Sequence, residues 1–279
     1  MRLGRGAGRR GPLSGIRSAG APAAADAPVA LPTVSVVIPV KDDAERLTVC
    51  LAALARQTVP AVEIVVVDND SGDDTATVAR AAGARVVFER RPGIPAASST
   101  GYDAAIGDVI ARLDADSIPP TDWIENLARR FARQPEVSAF TGGAVFSGGP
   151  RRLRRVGAAV YLGAYYVALA PALGHVPLFG SNFALRRAAW EAVRWNVHRG
   201  DTELHDDLDL SFHLGAPFRL RYGRGMAVRI SHRPLTDAAS FRKRFRRGFR
   251  TVFVHWPHDL PWLRWYRAAR VRLAPGLGA

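Results

Sequence analysis

Asp108-Val109-Ile110-Ala111-Arg112-Leu113-Asp114-Ala115-Asp116-Ser117 decides how this chain is read. Val109 to Leu113 has the length and character of a short buried strand, and it ends in two carboxylates one residue apart. Alternate side chains of an extended chain share a face, so Asp114 and Asp116 are expected to project the same way. Two carboxylates so placed repel each other unless a cation lies between them, and a hard divalent metal is the usual solution. Taken alone, the segment is explained more simply by a strand ending in a solvated turn before Pro119-Pro120. The flanking sequence decides between the two readings.

Upstream, Val34 to Ile38 is a β-branched run that Pro39 is expected to stop. Asp42 and Asp43 then offer N-cap oxygens to a helix over about Ala44 to Arg56. Glu63 to Val67 reads as a second buried strand, ending in Asp68-Asn69-Asp70-Ser71-Gly72. A helix from Asp74 closes at Gly83, Arg85 to Glu89 forms a third strand, and Gly93-Ile94-Pro95 opens a helix to about Ala105. Strand and helix alternate throughout, so a parallel sheet with right-handed crossovers is expected. Ligands of such sheets bind beyond the carboxyl ends of the strands, where each of these acidic clusters falls. That placement favours a ligand site over a solvated turn.

The chain has 279 residues, 48% of them hydrophobic, enough for a substantial core. Its one cysteine, Cys50, excludes an internal disulfide and, set among Leu47, Leu51 and Leu54, reads as a buried structural thiol. The formal net charge of +14 is almost all arginine, Lys41 and Lys243 being the only lysines. Acidic residues gather in the strand-end loops while arginines gather at the two ends, so an acidic site on a body that meets an anion is expected. Residues 1–31 are rich in Arg, Gly, Ala and Pro, without an apolar core, and read as a disordered basic arm rather than a secretory signal. The literal G-x-G-x-x-G at Gly6 to Gly11 has no strand before it and no helix after it, which excludes a dinucleotide site.

Asp122 to Arg133 reads as an amphipathic helix, and Val137 to Phe146 as one strand containing Gly142-Gly143. Val156 to Gly180 has the length of a membrane span, yet glycines and prolines interrupt it. A helix of about Leu153 to Leu169, lying on a membrane or on the domain, is expected instead. After Ser181 to Arg186 and a helix around Ala188 to Val193, His205 to Leu210 opens a helix whose positive end Asp206 and Asp207 favour. Arg219 to Tyr222 and Met226 to Ile230 look like a hairpin through Gly223 to Gly225. From Ala239 to Arg272, ten cations interleave with Phe241, Phe245, Phe249, Phe253, Trp256, Trp262 and Trp265. Such a mixture suits an anionic membrane interface. It also suits single-stranded nucleic acid, a role that would rest on charge alone.

Five segments in this order resemble the family 2 glycosyltransferases of the GT-A fold, over Val34 to about Gly248. They are Val34 to Pro39, Val65 to Ser71, Gly107 to Asp116, Gly180 to Arg187 and Asp206 to Ser211. The resemblance implies an α/β fold, Rossmann-like, with a mixed, mostly parallel central sheet flanked by helices and a basic amphipathic helical segment after it. It divides the chain into the arm at 1–31, a catalytic domain at 32–235 and a basic, Trp-rich tail at 236–279. The nucleotide half of the domain would run over about 32–118 and the acceptor half over about 119–235. It implies that Asp114 and Asp116 are the D-x-D pair that holds Mg2+ or Mn2+ against a nucleotide diphosphate, with His232 as a further metal ligand. Pro39, Lys41, Asp42, Asp68, Asp70 and Ser98 would line the nucleotide-sugar site. Gly142, Gly143, Ser181, Asn182 and Asp206 would lie on the acceptor side, and Asp207 would be the general base.

The resemblance further implies single-sugar, inverting transfer from a UDP-, GDP- or TDP-sugar to a lipid-linked or other envelope-glycan acceptor. The expected location is cytoplasmic, at the inner face of the plasma membrane, with peripheral contact through the basic aromatic segments and no specific nucleic acid. Three departures stand out. Lys41-Asp42 replaces the usual aromatic and asparagine, Ser98-Ser99 replaces an Arg-Asn pair, and the Q-x-x-R-W signature of processive members is missing near Arg242 to Gly248. The first two leave a catalytically silent nucleotide-sugar-binding protein as the alternative. A nucleotidyltransferase is disfavoured by the lack of a Gly-rich, Lys-containing loop after the first strand.

Overall fold

The computed structural model describes residues 30–147, 150–215, 217–231, 238–256 and 258–273. Four strands, β1 (Val34–Val40), β2 (Glu63–Asp68), β3 (Arg85–Phe88) and β4 (Val109–Leu113), alternate with helices α1 (Ala44–Leu54), α2 (Thr75–Ala81) and α3 (Ile94–Ala104). They pair in parallel in the order β3-β2-β1-β4. After α4 (Trp123–Arg133), the sheet is extended by β5 (Ala139–Thr141), β7 (Asn182–Arg186) and β8 (Leu220–Tyr222). β7 runs antiparallel between β4 and β5, and β8 closes the seven-stranded sheet beside β5. The result is the mixed, mostly parallel sheet flanked by helices that the sequence implies.

Alternation along β1 sends Val36 and Ile38 to one face, with Leu47, Cys50 and Leu51 of α1 and Trp123 of α4. Val37 joins Val65, Val67, Tyr102 and Trp190 on the other face, so the sheet has a core on each side. Pro39 does not stop β1, which runs on to Val40. Val34 and Val40 accept from the β2 side, whereas Thr33 accepts from Val109 at the head of β4. Odd-numbered residues therefore face β4, whose pairing with β1 ends at Val37. The N–H that Pro39 lacks falls beyond that ladder and costs no bond.

Two expectations fail beyond β4. The glycine pair splits the predicted strand into β5 and β6 (Ala144–Phe146). The predicted hairpin does not form: β8 joins the main sheet, while β9 (Val228–Ile230) pairs in parallel with β6 in a separate ribbon. Both corrections have one cause, the amide of Asn182. Its Nδ2 donates to the carbonyls of Gly143, at 2.8 Å, and Met226, at 2.6 Å, and its Oδ1 accepts from Trp123 Nε1 at 3.1 Å. A Cβ on Gly142 would lie 2.2 Å from Asn182 Nδ2, and one on Gly143 would lie 2.6 Å from the Tyr222 hydroxyl. Only a glycine pair lets the chain pass between them.

The remaining helices are α5 (Arg151–Leu173), α6 (Arg187–Val193), α7 (Asp206–Gly215), α8 (Ala238–His255) and α9 (Pro261–Leu273). α8 packs on α7 and α9 on α5, within one compact unit spanning residues 31–279. Arg264 of α9 is buried and donates to the C-terminal carbonyl of α5 at Leu173 and to Phe212 of α7. The basic arm expected at 1–31 lies outside the described residues up to position 29.

Asn182→Ala would strand the Trp123 indole N–H and the Met226 carbonyl in the core, while the Gly143 carbonyl keeps its bond from Val228 N–H. Each unsatisfied buried group costs about 1–3 kcal/mol, so urea unfolding is expected to show a loss above about 2 kcal/mol. A loss under about 0.5 kcal/mol would mean that the amide does not hold the two sheets together.

Candidate active site

β4 is apolar except at Arg112, which is 2% exposed. Its guanidinium leaves the sheet at the carboxyl end and bridges two carboxylates from distant parts of the chain. Nη2 donates to Asp114 Oδ1 at 3.0 Å, and Nη1 pairs with Asp206 Oδ2 at the start of α7. Burial disfavours the charge, but Asp206, Tyr102, Asp114 and Asp207 more than compensate, so the guanidinium stays cationic. Asp206 Oδ2 also accepts from Ser98 Oγ at 3.0 Å, and Asp114 Oδ2 from Ser181 Oγ at 2.5 Å. One buried cation thus draws the ends of β4, α3, α7 and the segment before β7 to one edge of the sheet.

Asp207 sits beside this bridge. Its Oδ2 accepts from Gly180 N–H and its Oδ1 from Leu208 N–H, both at 2.8 Å. A Cβ on Gly180 would stand 3.1 Å from Asp207 Oδ2 and 3.2 Å from Arg112 Nη1, so a side chain there would press on both. Burial, then the charge of Asp206, push the Asp207 pKa above the usual carboxylate range, against opposing pulls from His205, Arg112 and Gly180 N–H. A carboxylate so tuned is a stronger base than an exposed aspartate.

The D-x-D segment is not extended as the sequence suggested. Ser117 N–H donates to Asp114 C=O at 3.0 Å, so Asp114 to Ser117 forms a turn, with Ala115 buried beneath it. Asp114 is engaged on both oxygens, and both it and Asp116 are half-buried. Both acids lie near the α1 thiol: Cys50 Sγ is 4.0 Å from Asp114 C=O, and burial followed by these two charges drives its pKa far up. The thiol is inert. The donors the turn presents are oxygens only, a set that fits Mg2+ or Mn2+ and not a soft metal.

The other expected nucleotide residues gather one strand over. Asp68 is buried and its Oδ1 accepts from Ser71 N–H at 3.0 Å. Lys41 Nζ donates to the carbonyls of Asn69 and Asp70, while Asp42 Oδ1 accepts from Gly72 N–H at 2.7 Å. Asp42 and Asp70 both adopt positive φ, 50° and 59°. The β1 and β2 loops are thereby stitched together, and Asp68, Asp70, Phe88, Glu89 and Arg90 line a depression beside them. Two residues there escaped the sequence reading. Asn69 donates to the carbonyls of Glu89 and Arg91 and accepts from Gly93 N–H; Glu89 is held at about pKa 2, chiefly by Arg91.

Four expectations change. Ser98 is 1% exposed and serves Asp206, so it does not line a nucleotide slot. Pro39 is a buried strand residue. Asn182, at 0% exposure, cannot touch an acceptor, and Gly142 and Gly143 answer to packing against Asn182 and Tyr222. Asp206 is the counter-ion of Arg112. His232 lies outside the described residues. Arg112 itself was missed, although a lone arginine in a buried strand two residues before an aspartate was the available signal.

The bridge can be measured by unfolding. Arg112→Met is expected to cost about 3–5 kcal/mol, because it leaves the largely buried Asp206, with Asp207 beside it, without a cation. Adding Asp206→Leu should restore at least about 1 kcal/mol, within the usual coupling of contacting residues. Strict additivity of the two losses would show that the residues are not coupled.

A family model described as glycosyl transferase family 2 matches residues 35–193. The glycosyltransferase AglE of Haloferax volcanii is 38% identical over 103 residues, 34% of this chain and 34% of that protein. An uncharacterized glycosyltransferase of Mycobacterium bovis is 46% identical over 84 residues, 30% of this chain and 36% of its own length. An undecaprenyl-phosphate 4-deoxy-4-formamido-L-arabinose transferase of Pseudomonas fluorescens is 36% identical over 110 residues, 36% of this chain and 32% of that one. The aligned stretch thus spans about a third of each of these relatives. Among solved structures, glucosyl-3-phosphoglycerate synthase of Mycobacterium tuberculosis, in complex with Mn2+, UDP and phosphoglyceric acid, matches with a TM-score of 0.53. It is 20% identical, covering 79% of this chain and 78% of that one.

Proposed function

Since the chain belongs to glycosyl transferase family 2, we propose that it transfers a single sugar, with inversion, from a nucleotide-sugar to a lipid-linked or other envelope-glycan acceptor. The observation that carries this reading is the Arg112 bridge, which couples the D-x-D turn to the acidic start of α7. Inverting transfer needs a diphosphate-holding group and a base on opposite sides of the anomeric carbon, hence on separate loops facing one pocket.

Asp116, with Asp114 behind it, would hold Mg2+ or Mn2+, the ions bound in the M. tuberculosis synthase complexes. Held there, the ion would supply neutralisation of the charge that grows on the leaving phosphate oxygen. Arg112 and Ser181 orient the Asp114 carboxylate, and the turn hydrogen bond from Ser117 fixes where Asp116 is presented. Asp207 accepts the acceptor hydroxyl's proton, its carboxylate held in position by the N–H groups of Gly180 and Leu208. Asp68 and Asp70 border the depression in which the base and ribose would sit. The donor is a UDP-, GDP- or TDP-sugar, and UDP is the nucleotide in the M. tuberculosis complexes.

The acceptor side of the proposal rests on surface chemistry. Phe245, Phe249 and Phe253 lie 61, 51 and 58% exposed along α8 among arginines, with Trp262, Trp265 and Tyr266 exposed on α9. Cations interleaved with aromatic rings suit an anionic lipid surface. Residues Arg154–Leu173 of α5 are also long and apolar enough to cross a membrane, and few of them are buried. Val156, Val160 and Val167 are exposed there, while Tyr165 and Tyr166 hydrogen-bond back to the carbonyls of Leu178 and Gly142. We place this face on the cytoplasmic surface of the plasma membrane, where a polyprenyl phosphate would be presented. The undecaprenyl-phosphate transferase relative supports that class of acceptor.

Asp207→Asn is expected to slow nucleoside diphosphate release in the presence of acceptor by about 10²–10⁴-fold, with donor binding retained. In the unmodified protein, kcat/KM should fall as pH drops through a value above the ordinary Asp pKa of about 3.9, because the base must be ionised and burial raises its pKa. Unchanged turnover in Asp207→Asn would remove Asp207 from the mechanism.

A further inference from the structure

Behind the proposed base, within the next two turns of the same helix, a second cluster of ligating side chains closes on itself. Asp209 and His213 lie one turn apart on α7, His255 comes from the end of α8, and His198 from the segment between α6 and α7. Their four donor atoms all lie within 4.8 Å of one another. None of these residues belongs to the D-x-D turn, and none takes part in the transfer proposed above. We propose that this cluster is a zinc site that locks the base-bearing helix to the basic, aromatic α8.

The distances carry the argument. His255 Nε2 is 3.3 Å from Asp209 Oδ1 and 3.4 Å from His213 Nε2, and His213 Nε2 is 3.6 Å from Asp209 Oδ1. A tetrahedral Zn2+ with bonds of about 2.0–2.1 Å needs ligand atoms about 3.3–3.4 Å apart, so these three atoms already form one face of such a site. His198 Nδ1, 2.7 Å from Asp209 Oδ1, supplies the fourth corner. Its side chain is 39% exposed, against 5% for Asp209 and 7% for His255, which gives the ion a way in from solvent.

Hydrogen bonding fixes the tautomer that matters most. His255 Nδ1 lies 2.8 Å from Thr251 C=O, which can only accept, so Nδ1 carries the proton. In the neutral ring, His255 Nε2 therefore points a lone pair at Asp209 Oδ1, 3.3 Å away. A cation between the two turns that contact from repulsive to favourable. A backbone carbonyl on the far nitrogen is also the outer-shell partner typical of metal-bound histidine. The ring is further held by stacking on Phe212, with centroids 4.1 Å apart and planes at 10°. The opposite Asp209 oxygen accepts from His198 N–H at 2.8 Å. Three imidazoles and one carboxylate form a borderline donor set that favours Zn2+ over Mg2+, unlike the all-oxygen turn at Asp114. Ligation through Nδ1 would leave His198 as the neutral tautomer with its proton on Nε2.

Metal analysis of untagged full-length protein separates this site from the donor site. About one zinc per chain is expected after purification, retained in Asp116→Ala and lost in His213→Ala and His255→Ala. Replacement by Co2+ should give the intense visible bands of a tetrahedral ion. His198→Ala, at the exposed corner, leaves the core intact and should weaken zinc binding by at least about tenfold, the loss typical even of an outer-shell partner. Zinc well below one per chain, with added Co2+ giving only octahedral absorption, would overturn the proposal. So would full zinc content in both His198→Ala and His255→Ala. Neither readout depends on sugar transfer, so the site stands or falls apart from the enzymatic reading.

Discussion

The charge of Arg112, 2% exposed in the middle of an apolar strand, has to be met inside the protein, and the rest of the site follows from how it is met. An unpaired buried cation would cost several kcal/mol, so the chain brings a carboxylate from either side. Asp114 comes from the turn that follows the strand and Asp206 from a helix that begins some ninety residues later. Because Asp207 follows Asp206 directly, the proposed base is positioned by its neighbour's ion pair. The D-x-D turn and the start of α7 are thereby fixed relative to each other.

This arrangement explains which parts of the fold and site could be read from the sequence. β1 to β4 and the helices between them were legible because each strand is a continuous apolar run and each loop carries its own turn and cap chemistry. The acidic strand ends marked the ligand edge for the same reason. What escaped depends on contacts between distant segments. The hairpin expected around Gly223 to Gly225 looked sound locally, but pairing of β8 with β5 and of β9 with β6 wins because Asn182 bonds to Gly143 and Met226 at once. Ser98 and Asn182 have the composition of binding residues and are consumed internally. Nothing local distinguishes a polar side chain that meets a ligand from one that meets another segment of its own chain.

The departures at Lys41-Asp42 and Ser98-Ser99 take on a different meaning in this light. Lys41 and Asp42 stitch the β1 and β2 loops, and Ser98 donates to the acid that pairs with Arg112. Both positions thus stiffen the loops around the proposed nucleotide site. Helix α7 then stands as the element on which the two halves of the account meet. Its first turn holds Asp207, the proposed base, and Asp209; His213 follows one turn later, and α8 with its exposed phenylalanines packs against the helix. Contact at the α8 surface would then reach the proposed base through a single packed helix.

The most direct test of the central claim, that the turn after Arg112 is the diphosphate end of a glycosyl transfer site, is thermal unfolding with nucleoside diphosphates and Mn2+. Stabilisation is expected only when both are present, by about 2.7 kcal/mol at a hundredfold excess over Kd, and it should vanish in Asp116→Ala while the protein stays folded. Equal stabilisation in Asp116→Ala, or by nucleotide without metal, would contradict the account.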